Sequence, residues 1–154
     1  MKKLLCAALT AVLSFTLVGC GEQYEDTNGA DNFELQTITD ENIIKQDIGA
    51  SGLSYSETDI GLLKSSEYSA KNFNGVERIY LTNFIGKSDV RVYVGTMNVK
   101  SGNFKLAVVL DDEIIKEIPL DAFNEDFYFE DIKGTFQLVV AGESAAFEFY
   151  VEVE

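Results

Sequence analysis

From Tyr68 to the last residue, apolar side chains recur at every second position over long stretches, the period of strands with one dry and one wet face. Val90, Val92 and Val94 alternate with Asp89, Arg91 and Tyr93. The apolar set then jumps out of phase to Met97 and Val99, and a bulge at Gly95 and Thr96 absorbs the shift, because one extra residue exchanges the two faces. Phe104, Leu106, Val108 and Leu110 face one way, Asp111 and Asp112 turn a hairpin into "IIKEI", and Pro119 ends that strand. "DFYFEDI" leads through Lys133 and Gly134 into "TFQLVVA", and "GESA" turns into "AFEFYVEVE", where Phe147, Phe149, Val151 and Val153 alternate with acidic residues and Tyr150. With "GVERIYLTNF" at 75–84, this pattern predicts an all-β domain at 67–154, an antiparallel β-sandwich of about seven or eight strands. Phe104, Phe136, Phe147 and Phe149 fall at in-facing places and are assigned to the core.

The lead-in at 33–66 is irregular. "FELQTI" alternates like a strand, "TDENIIKQDI" suits a short helix opened by Thr39 or Asp40, and "GASGLSYSETDIG" reads as loop for its Gly and Ser content. Before it, "GEQYEDTNGADN" is acidic and without hydrophobic period, the composition of a flexible tether that reaches about 40 Å when extended.

The first 20 residues follow another plan. Lys2 and Lys3 precede an apolar run from Leu4 to Val18, broken only by Thr10, Ser14 and Thr16, and Gly19 then leads to Cys20. A basic end and a run too short to span a bilayer comfortably are the layout of a secretory signal. The box Leu17-Val18-Gly19-Cys20 resembles the lipobox of bacterial lipoproteins. That resemblance implies removal of residues 1–19, diacylglycerol on the Cys20 thiol, and a mature chain of lipidated Cys20 and acidic tether (20–32) ahead of the domain. It also implies a membrane-anchored protein on the extracytoplasmic face. Gly21 stands where an aspartate commonly retains such proteins on the inner membrane, which implies the outer membrane in a bacterium that has two. Beyond the box, the chain resembles small bacterial surface lipoproteins only in general plan.

The formal charge of −14 counts Lys2 and Lys3; without them 10 basic residues face 26 acidic ones, a balance of −16. Such a field repels phosphate backbones, which excludes nucleic acid as a natural partner and favours cationic ligands. Cys6 lies inside the apolar run and Cys20 ends it, so no disulfide staples the domain.

Histidine is absent from the chain, which removes imidazole as general base or metal ligand and points to a non-catalytic role. Ser54 in "GLSYS" and Ser144 in "GESAA" faintly resemble a nucleophile elbow but read as turn residues. Paired carboxylates still allow a glycan hydrolase. The acidic loop "LDAFNEDFYFED" offers Asp121, Asn124, Glu125 and Asp126 as oxygen donors to calcium, with a solvated loop as the plainer reading. Tyr80, Tyr93, Tyr128 and Tyr150 are placed on outer strand faces, where they suit either β propensity or stacking on sugars. These features suit a binding or interaction module at the cell surface, its ligand a protein, a cationic group or a glycan.

Overall fold

The computed structural model describes residues 38–60 and 63–154. The leader, Cys20, the tether and the alternating start of "FELQTI" lie outside the described residues.

The described chain opens with α1 (Asp40–Lys45). Thr39 caps it in an extended conformation, accepting the Asn42 N–H at 3.2 Å while its own N–H donates to Asn42 Oδ1 at 3.3 Å. This reciprocal pair satisfies two backbone donors that a helix start otherwise leaves open. Gln46, in the left-handed region at φ 50°, ends the helix.

Four strands follow: β1 (Ser51–Ile60), β2 (Leu63–Leu110), β3 (Glu113–Ile118) and β4 (Glu125–Val153), all antiparallel and all in one sheet. The stretch expected as loop at 49–61 contains β1, so the sheet begins at Ser51 and not at residue 67. Ser54, Tyr55, Ser56, Glu57 and Thr58 are exposed on both faces of β1, which leaves no hydrophobic period to read; the strand is held by its ladder to β2, with Tyr55 opposite Tyr68.

An expected break between strands and an expected turn also change character. Lys133 and Gly134, and the "GESA" stretch, lie within the unbroken β4 and do not reverse the chain. A hairpin at "GESA" would pair 136–140 with 147–151. Instead, both stretches pair with β2, on two sides. The bends and bulges inside β2 and β4 explain why seven or eight apparent strands reduce to these long ones.

The long strands cannot be straight. Residues 64–94 of β2 run antiparallel along 125–153 of β4, and residues 92–110 run along 136–153 on the other side. Phe84 pairs with Gly134, and Val92 pairs with Val153. A straight β4 would hold Gly134 and Val153 about 60 Å apart, yet the chain from Phe84 to Val92 reaches at most about 29 Å. The sheet therefore curls until its ends meet. At the closure, Val92 and Val94 pair with both Phe127 and Glu125 and with both Val153 and Val151.

The inner face of the curl is the main core, with Phe73, Phe136, Phe147, Phe149, Leu106 and Leu138 fully buried. Phe104 lies against Phe147 at 4.4 Å and Phe149 at 5.9 Å between ring centroids, so the four phenylalanines assigned to the core are there. A second cluster sits on the outer face, where Ile43 of α1 covers Val76, Val109, Val139 and Ala141. Beside it, Gln46 Nε2 donates to Oε1 of the buried Gln137 at 2.6 Å.

A line of bulges crosses three neighbouring strand segments at one level. Gly142 pairs with Gly75 on one side and with Phe104 on the other, and register shifts occur at 70–75 and 99–103 beside it. Gly75 has φ 107°, Gly102 φ 78° and Ser144 φ 49°. Ser144 N–H donates to Asn74 Oδ1 at 2.8 Å, tying two of the bulges together. Each bulge exchanges the faces of its strand. In β4, the buried set passes from Phe136, Leu138 and Val140 to Phe147, Phe149 and Val151. The outer face is consequently divided: apolar and helix-covered on one side of the line, polar on the other.

Candidate functional site

The polar half of the outer face carries an open groove of about 630 Å³. Strand register lays out its walls. One row runs Ser56, Glu67, Tyr150, Thr96, and the next runs Ser54, Ser69, Glu148, Asn98. Between the rows, Tyr68 and Phe149 are buried in the core, as the alternation of a strand requires, and Tyr55 beside Tyr68 stays exposed.

Within the second row, Glu148 is fixed. It accepts from Asn98 Nδ2 and from Lys100 Nζ, both at 2.9 Å. These bonds, the Lys100 bond first, hold its carboxyl below the usual glutamate range. A carboxylate held ionised in this way suits a fixed acceptor and does not suit a proton donor for glycoside cleavage.

Tyr150 forms the aromatic end of the groove. Its ring meets Tyr93 edge-on, with centroids 6.4 Å apart at 76°. Both rings crowd the expected bulge, where the register shifts between Val94 and Thr96. A Cβ on the buried Gly95 would stand 2.7 Å from Tyr150 Cδ1 and 3.3 Å from Tyr93 Cε1. The glycine thus makes room for the two rings over bare backbone. The Tyr150 hydroxyl donates to Glu152, and this hydrogen bond, together with burial, raises the phenol's pKa.

The acidic loop that offers oxygen donors to calcium braces this end. Asn124 Oδ1 accepts from the Tyr93 hydroxyl at 2.8 Å, and Asn124 N–H donates to the Gly95 carbonyl at 3.1 Å. Asp126 accepts from Arg91 Nε at 2.7 Å, while the Arg91 guanidinium lies 5.3 Å from the Tyr93 ring centre. Asp121 and Glu125 are exposed. Asn124 and Asp126 thus engage Tyr93 and Arg91, and among the described residues no group of three His, Cys, Asp or Glu side chains converges.

The tyrosines expected on outer faces divide. Tyr93 and Tyr150 are there, half-buried, and Tyr128 is exposed. Tyr80 instead packs edge-on against Phe136 in the core cluster, at 6.4 Å, and its burial raises the phenol's pKa. A register shift between Arg78 and Tyr80 turns it inward. Ser54 lies on edge strand β1 and Ser144 in the bulge line, so neither occupies a strand-to-helix turn.

Sequence reasoning missed Ser69, Glu67, Thr96, Asn98 and Glu148 as one surface. The signal was the out-facing set of "KSSEYS", "TMNVK" and "FEFYV", which meets only once the register of three strand segments is known.

No known protein family matches the sequence, and no curated protein is found similar to it.

Proposed function

We propose that this chain is a lipid-anchored binding module of the bacterial cell surface, non-catalytic, held to its membrane by diacylglycerol on Cys20. The observation that carries the binding role is the groove of about 630 Å³ beside a braced tyrosine pair, a volume within the range of small-molecule and cofactor sites. Its walls offer hydroxyl, amide and carboxylate groups to a ligand. The lipobox resemblance supports the anchor, the outer membrane being its address where the bacterium has one. Two acyl chains hold a protein stably where one does not, since each buried methylene adds about 0.8 kcal/mol. The acidic balance of the mature chain directs it away from nucleic acid.

Replacing Cys20 with Ala tests the anchor. The variant is expected to incorporate no labelled fatty acid and to leave the membrane fraction. A Cys20→Ala protein that still takes up label and sediments with membranes would refute the reading.

A further inference from the structure

We infer that the groove binds an uncharged carbohydrate chain, an assignment that rests on the binding role proposed above. Three properties of the walls select this chemistry. Ser54, Ser56, Ser69 and Thr96 each both donate and accept, as Asn98 does, and this matches the mixed donor and acceptor character of sugar hydroxyls. Tyr150 presents an aromatic ring whose position is set in advance by Tyr93, Gly95 and Glu152, so a pyranose can stack its C–H face there without ordering a loose side chain. Glu67 is exposed and in no ion pair among the described residues, and Glu148 stands across the groove. The Glu67 charge opposes phosphate, sulfate and uronate, while that of Glu148 is already paired with Lys100 at 2.9 Å.

A protein partner fits less well. Stable protein interfaces close around an apolar centre, whereas no aliphatic side chain lines this groove, its Tyr68 and Phe149 rings belong to the core, and Tyr55 is its one largely exposed ring. Neutral sugars need only the ring and the polar groups already in place.

The test is retention of the full lipidated chain, in detergent, on immobilised polysaccharides: neutral glucan, mannan, galactan and chitin against uronate-containing and sulfated gels. Retention is expected on at least one neutral gel, with release by its free oligosaccharide. Ser69→Trp, which fills the groove from an exposed position, is expected to reduce it at least tenfold, and Asn98→Ala severalfold, with melting unchanged. Preference for the anionic gels, no retention on any neutral gel, or retention indifferent to Ser69→Trp would overturn the assignment. Failure on every gel while a protein crosslinks to the groove in cells would remove the carbohydrate and leave the binding role standing; failure of both would remove both.

Discussion

Replacing Gly102 with Ala is expected to destabilise the protein by about 3 kcal/mol, with melting lowered by roughly 10 °C. Two causes act together. Gly102 has φ 78°, a conformation that costs a side-chain-bearing residue about 1–2 kcal/mol. Its new Cβ would also stand 2.3 Å from the Ser144 carbonyl oxygen and 2.5 Å from its carbon, so backbone must move in the neighbouring strand. That movement strikes the bulge line at its centre, where Ser144 is already bonded to Asn74. Gly86→Ala is the matched control. No atom comes within 4 Å of a Cβ there, so an effect inside about 0.5 kcal/mol is expected. If the two variants melt together, the bulges do not approach as described.

Phe136→Ala is expected to cost about 3–5 kcal/mol, a large share of the 5–15 kcal/mol typical of a domain. The side chain is fully buried and takes Tyr80, Phe84 and Phe129 edge-on at centroid distances of 6.4, 6.5 and 5.6 Å. These neighbours come from different limbs of the curl, so a cavity cannot close by the shift of one strand alone. A urea titration is expected to show a lower midpoint with an unchanged slope. Tyr128→Ala, on a side chain 69% exposed, is expected to leave the midpoint in place. Equal midpoints for the two would mean that Phe136 is not at the centre of the core.

The strand character of the C-terminal half could be read from its period-two pattern, since burial on one face repeats wherever a strand is half wet. Gly95 and the Asp111 turn were legible for a related reason: a phase jump, and a pair of residues tolerant of positive φ. "GESA" was ambiguous, because a hairpin and a bulge both exchange the faces, and only the pairing partner tells them apart. β1 was invisible because its exposed residues on both faces carry no period. The curl was hidden too. It depends on which distant residues pair, as Val92 does with Val153. The groove is a product of that pairing, and single strands seen apart show only scattered Ser, Asn and Glu.

A photoreactive phenylalanine analogue placed at residue 69, in living cells, tests the binding role most directly, with the same group at exposed Lys133, outside the groove, as reference. A saturable covalent adduct from position 69 and none from 133 is the expected result. No adduct from 69, or equal adducts from both positions, would contradict the assignment of this groove as the working surface of the protein.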